Sequence, residues 1–144
     1  MSINADIVAI IKESETIAVV GASRHKEKAA HEVPEYLQSN GYKIIPVNPF
    51  ADEILGEKAV ANLGKIDQGV DIIQIFRPSE ETPKIVAEAV KLKPKLIWLQ
   101  LGIKNEEAKK IAEEHNIPFV MDRCLMMEHT KIFGRDKNIR ISEL

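Results

Sequence analysis

The sequence predicts a doubly wound α/β fold of the Rossmann-like kind, with a mainly parallel five-stranded sheet and helices on both faces. Three observations carry that expectation. Strand-like apolar runs alternate with helix-like segments about five times along the chain, the pattern of βα units. The runs are continuous rather than alternating, as strands covered on both faces require. Residues that cap or break helices separate the units. Right-handed crossovers leave few topologies, and the strand order 3-2-1-4-5, or a close relative, is the simplest.

The elements follow in order. Asn4 or Asp6 caps a short helix running to about Glu13, with Ile7, Ile10 and Ile11 at helical spacing. Thr16-Ile17-Ala18-Val19-Val20, closed by Gly21, reads as a buried first strand. Ala22 to Lys28 is polar and basic, hence a loop. A helix from about Ala30 to Asn40 sets Val33 and Leu37 on one face; Gly41 ends it, and Pro34 is expected near its first turn. Lys43 to Val47 is a second strand, and Pro46, without an N–H, places it near a sheet edge or ends its pairing.

Residues 50 to 69 suggest a short strand near Glu57 to Val60 and a turn of helix. Val70 to Phe76 is the third long strand. Ser79 or Thr82 caps the next helix, whose apolar face is Ile85, Val86, Ala89, Val90 and Leu92. Leu96 to Leu99 is the fourth strand, and Asn105 caps a helix ending near His115. Ile117 to Met121 is the fifth strand. A short helix over Cys124 to Thr130 and a polar tail at 135–144 complete what reads as one domain over 1–144.

Composition narrows the function. With 144 residues, 44% hydrophobic and 29% charged, the chain can bury a core without staples. A net charge of -2 gives no basic excess for nucleic acid. The single cysteine, Cys124, excludes an internal disulfide framework and suits a reducing compartment. The start carries no signal-like stretch, and no apolar run reaches the roughly 20 residues of a membrane-spanning helix. A cytoplasmic location, with no membrane partner, is the expectation. His25, His31, His115 and His129 have no metal-site spacing, Glu128-His129 reads as a surface pair, and Met121, Met126 and Met127 read as core or filler.

In such sheets ligands bind beyond the carboxyl ends of the strands, where strand order reverses. After the first strand, Gly21, Ala22 and Ser23 allow a sharp turn whose amides face an anion, and Arg24, Lys26 and Lys28 add positive charge. A diphosphate there also meets the start of the following helix. After the second strand, Asn48-Pro49 stands where NAD-binding domains usually carry a carboxylate, and the G-x-G-x-x-G fingerprint is missing. Arg77-Pro78 follows the third strand, its guanidinium suited to phosphate or to Glu80 or Glu81. Gln100 and Gly102 follow the fourth, offering an amide and a close-approach glycine. Cys124, beside Arg123, reads either as a buried hydrophobe or as a reactive thiol.

These segments carry a resemblance. Val20-Gly21-Ala22-Ser23, His31-Glu32-Val33-Pro34, Gly41 to Pro49, Phe76-Arg77-Pro78, Ile97 to Ile103 and Asp122 to Met126 resemble the stand-alone CoA-binding domain family. That family is similar to the nucleotide-binding domain of the succinyl-CoA synthetase α subunit. The match runs from about Ile17 to Phe133. The resemblance implies coenzyme A as a small-molecule nucleotide ligand, with its phosphates at Gly21-Ala22-Ser23 and the basic residues beyond. It implies that Asn48-Pro49, Arg77-Pro78 and Gln100-Leu101-Gly102 line the rest. Phe50 stands where many relatives have a basic residue.

The synthetase uses a second domain with a phosphorylated histidine, so the expectation here is non-catalytic binding of CoA or an acyl-CoA. The amides of residues 22 to 24 would hold the diphosphate. The alternatives are an NAD(H)-binding regulator and a small enzyme using Cys124 in thiol exchange.

Overall fold

The computed structural model describes the backbone of residues 3–142 and the side chains of 3–134. Helix α1 (Ala5–Glu13) is capped by Asn4, whose Oδ1 accepts the Ile7 N–H at 2.9 Å. Strand β1 (Thr16–Val20) follows, then α2 (Ala29–Ser39) and β2 (Lys43–Val47). The irregular stretch holds a small antiparallel hairpin, β3 (Glu53–Ile54) and β4 (Glu57–Lys58), and a 3-10 turn at Leu63–Lys65. Then come β5 (Ile72–Ile75), α3 (Thr82–Ala89), β6 (Leu96–Leu99), α4 (Glu106–Glu114), β7 (Phe119–Val120) and α5 (Leu125–Ser142). Asn105 caps α4, accepting the Ala108 N–H at 2.9 Å.

The five long-range strands form one parallel sheet in the order β2-β1-β5-β6-β7. The fold class read from the sequence holds: α/β, Rossmann-like, one domain. Numbering the main strands one to five, however, the order is 2-1-3-4-5, not 3-2-1-4-5. Pro46 shows why. Its carbonyl accepts from Val60 N at 3.0 Å, and Asn48 N donates to Val60 O at 2.8 Å. Pro46 therefore turns its donor-less nitrogen to the outside of β2, where among the described residues a single bridge to Val60 lies. An interior β2 would need an N–H that proline lacks.

Side chains alternate between two layers. Ile17, Val19, Ile44, Ile72, Leu96 and Trp98 meet α1, α2 and the start of α5. Ala18, Val20, Ile45, Ile73, Ile75, Ile97 and Leu99 meet α3 and α4 through Val86, Ala89, Ala108 and Ala112. Each large aliphatic side chain buried this way contributes about 1.5–3 kcal/mol, and the central β5 and β6 are buried along their whole length.

Four expectations need correction. Pro34 lies in the second turn of α2, not the first. Such a proline leaves the carbonyl four residues earlier without its helical donor. That carbonyl, Ala30 O, accepts from Ser23 N at 3.0 Å instead. Glu128 and His129 are buried, with 5% and 2% exposure, rather than on the surface. Arg123 and Lys131 pair with Glu128, and His129 sits among the rings of Tyr36, Tyr42 and Phe133. Met127 is exposed, not filler. Finally, α5 continues past Thr130 to Ser142, interrupted at Gly134 (φ 78°). The polar tail expected at 135–144 falls where side chains, and for 143–144 everything, lie outside the described residues.

Candidate functional site

The order 2-1-3-4-5 reverses direction between β1 and β5, so a crevice opens at their carboxyl ends. Three adjoining cavities occupy it. One, of about 400 Å³, lies over the first turn and is lined by Gly21, Ala22, Ser23, Arg24, His25, Lys28 and Asn48. A second, of about 410 Å³, reaches toward α3 past Asn48, Pro49, Phe50 and Leu63 to Glu81, Lys84 and Ile85. The third, of about 480 Å³, runs past Pro78, Gln100 and Leu101 to Cys124. Arg77 borders all three.

Gly21 makes the first turn possible. Its φ is +86°, and a Cβ there would lie 2.6 Å from the Phe76 carbonyl oxygen. Only glycine lets β1 turn this close to β5. Within the turn, Gly21 N donates to Val47 O and His25 N to the Ser23 hydroxyl. Ser23 N is held by Ala30 O, so of the amides at 22 to 24 the middle one is occupied. Those of Ala22 and Arg24 have no acceptor among the described residues. Two free amides beside Arg24 and Lys28 make an anion-compatible cradle.

Asn48 is occupied by the fold. Its Nδ2 donates to Ala22 O at 2.9 Å and its Oδ1 accepts from Phe50 N at 2.7 Å. It fastens the end of β2 to the first turn. Arg77 forms a two-point ion pair with Glu81, both contacts 3.0 Å, with about half of each side chain exposed. Phe50 stands out at 86% exposure on the rim. Lys26 and Gly102 line none of the three cavities. Gly102 (φ +87°) instead gives its N–H to Asp122 Oδ1 at 2.7 Å, shaping the turn after β6.

Two buried glutamines lie beneath the third cavity. Gln100 Oε1 accepts from Leu125 N (3.2 Å) and from Gln74 Nε2 (3.1 Å). A backbone N–H needs an oxygen, so this fixes the orientation of both amides. Among the described residues, Gln74 Oε1 is left without a partner in the core, and Gln100 Nε2 without one at the cavity wall.

Sequence reasoning missed Lys84 and the α3 wall. Glu81, Lys84 and Glu88 are three and seven residues apart in register, one helical face, and that spacing was the available signal. Among the described residues, no group of three or more His, Cys, Asp or Glu is placed to hold a metal, and no helix is long and apolar enough to cross a membrane.

Sheet order and crevice together define a doubly wound α/β domain with an anion-compatible cleft at its switch point. The chain belongs to the CoA binding domain family, whose model matches residues 15–130. It is 41% identical to YneT of Bacillus subtilis over 125 residues, 87% of this chain and 93% of that protein. A solved structure from Thermus thermophilus is 42% identical, with a TM-score of 0.86, covering 90% of this chain and 99% of that one. The ADP-forming acetate–CoA ligase of Methanocaldococcus jannaschii is 27% identical over 130 residues, 85% of this chain but 18% of the ligase.

Proposed function

We propose that this domain binds coenzyme A, free or as an acyl thioester, without turning it over. The supporting observation is the continuity of the crevice around Arg77. One end offers free amides and basic side chains, the middle a guanidinium, and the far end a thiol and an unused amide donor. An elongated ligand with phosphates at one end and an amide-rich, sulfur-bearing arm at the other matches that sequence of groups.

In this reading the amides of Ala22 and Arg24, the Ser23 hydroxyl and the charges of Arg24 and Lys28 hold the diphosphate. The start of α2 adds its favourable dipole end. The nucleoside end lies over Asn48-Pro49 toward α3, where Lys84 supplies a basic group that Phe50 does not. Phe50 is placed to stack on the base. The arm crosses Arg77-Pro78 to Gln100. Gly102 shapes the turn after β6, and Lys26 lies outside the three cavities, so neither is given a ligand contact in this reading. An NAD(H) reading has less behind it, because the Asn48 amide at the ribose-carboxylate position is consumed by Ala22 and Phe50.

Calorimetric titration with CoA, NAD, NADP and FAD tests the proposal. CoA should bind at least about tenfold more tightly than the others, a difference of about 1.4 kcal/mol. Acetyl-CoA should bind and stay intact when ADP and phosphate are supplied. Clear binding of another nucleotide with none of CoA overturns it.

A further inference from the structure

Cys124 is 8% exposed and lines the third cavity. The fold holds it there deliberately from both sides. Arg123 O accepts the indole N–H of buried Trp98 at 2.7 Å, and Leu125 N is held by Gln100 Oε1 at 3.2 Å. The thiol therefore sits on a fixed backbone at the start of α5. Gln100 is 4% exposed and lines the same cavity, and its Nε2 is the donor that the Leu125 bond leaves over. That donor opens on the cavity wall, where a ligand carbonyl can accept from it. The cavity also communicates with the first turn, since Lys28, Ala30, Phe76 and Arg77 border both.

We infer that Cys124 captures the sulfur end of its ligand as a mixed disulfide, making the domain a redox-dependent holder of CoA. This rests on the CoA reading above. With the phosphates at the first turn, the arm runs past Arg77, meets Gln100 Nε2 with an amide carbonyl, and ends at the Cys124 Sγ. The oxidant is the disulfide of CoA itself. Cys124 gives up its proton and its Sγ attacks one sulfur of that disulfide. The Sγ–S bond forms, the S–S bond between the two CoA units breaks, and the departing CoA thiolate takes up a proton. One cysteine is oxidised and one CoA thiol is released. Reduction by an external dithiol reverses the step. Binding of the phosphate end supplies the local concentration that makes the exchange selective.

The full chain incubated with CoA disulfide should gain the mass of one CoA, lost again on treatment with dithiothreitol. The chain has one cysteine, so intact mass locates the adduct. The rate should exceed that with glutathione disulfide by at least about tenfold, the advantage of a bound over an unbound reactant. Excess NAD should leave it unchanged, whereas excess CoA thioester should suppress it. If CoA binds by calorimetry but no adduct forms, or glutathione disulfide reacts as fast, the inference falls and the CoA reading stands. If neither CoA nor its disulfide binds, both fall.

Discussion

The Ser23 amide donates to the Ala30 carbonyl at 3.0 Å, a carbonyl freed because Pro34 has no N–H to offer it. A proline inside a helix costs about 3 kcal/mol relative to alanine. Here it also leaves a hook by which α2 holds the turn after β1. Helix and turn are the two halves of the proposed phosphate site, so their relative position is set by that bond.

Replacing Pro34 by Ala restores a helical donor to Ala30 O and puts it in competition with Ser23. The Ser23 amide should then exchange with solvent at least about tenfold faster, measured by NMR hydrogen exchange. The stability gained should fall short of the roughly 3 kcal/mol that helix propensity alone gives. Unchanged Ser23 protection would show that the proline is not what frees the bond.

Gly21→Ala forces a Cβ to within 2.6 Å of the Phe76 oxygen at a φ of +86°. We expect a loss of about 2 kcal/mol in urea unfolding and weaker CoA binding, because the two free amides move with the turn. A fully stable variant with intact binding would show that the turn has slack.

Glu81 neutralises Arg77 through a two-point contact. A phosphate-bearing ligand must compete with it for the guanidinium. Glu81→Gln should therefore tighten CoA binding by about two- to fivefold, in line with the modest strength of an exposed pair. Arg77→Ala should weaken binding. Equal affinities in all three proteins would remove Arg77 from the site.

Arg24→Ala combined with Lys28→Ala should weaken CoA binding by about tenfold or more and flatten its dependence on salt, since charge-assisted contacts are lost. Titrations at low and high ionic strength read both effects. Parallel salt curves for parent and variant would move the phosphates elsewhere.

Asp71 ties β5 to the start of β1. Burial works to raise its carboxyl, but the N–H groups of Glu15 (2.8 Å) and Thr16 (3.1 Å), with Lys95 nearby, outweigh that and hold it below the usual carboxylate range. The folded state thus prefers the ionised form. Its contribution is complete above the unfolded value of about 3.9 and drains away as pH falls toward the depressed folded value. Asp71→Ala should cost about 2 kcal/mol at neutral pH. Its deficit against the parent should shrink below about pH 4, as urea unfolding at several pH values would show.

The long strands and most helices were legible because each is a run whose burial leaves a plain apolar signature: Leu96 to Leu99 was read to its ends. Sheet order was less so, since pairing of Ile17 with both Ile44 and Ile72 is a tertiary choice. Pro46 carried the clue, but it excluded an arrangement without naming its replacement. The turns around Gly21 and Arg77 were found as candidate ligand positions from the strand ends alone. Which amides remain free was hidden, because Ser23 is occupied by a residue made available only through Pro34. Lys84 was signalled only by its spacing with Glu81 and Glu88, which reads equally as the ordinary solvated face of a helix. His129 misled in the other direction: its burial depends on Tyr36 and Tyr42, about ninety residues away in sequence, which no local pattern reports.

Both margins of the sheet are blunt. Val60 latches the outside of β2 at a single bridge beside a proline, and β7 is two residues long. Neither rim presents a row of unpaired groups long enough to template a foreign strand. A chain built on such uninterrupted apolar strands is thereby guarded against growing into fibrils edge to edge, and its associations are steered toward helices and loops.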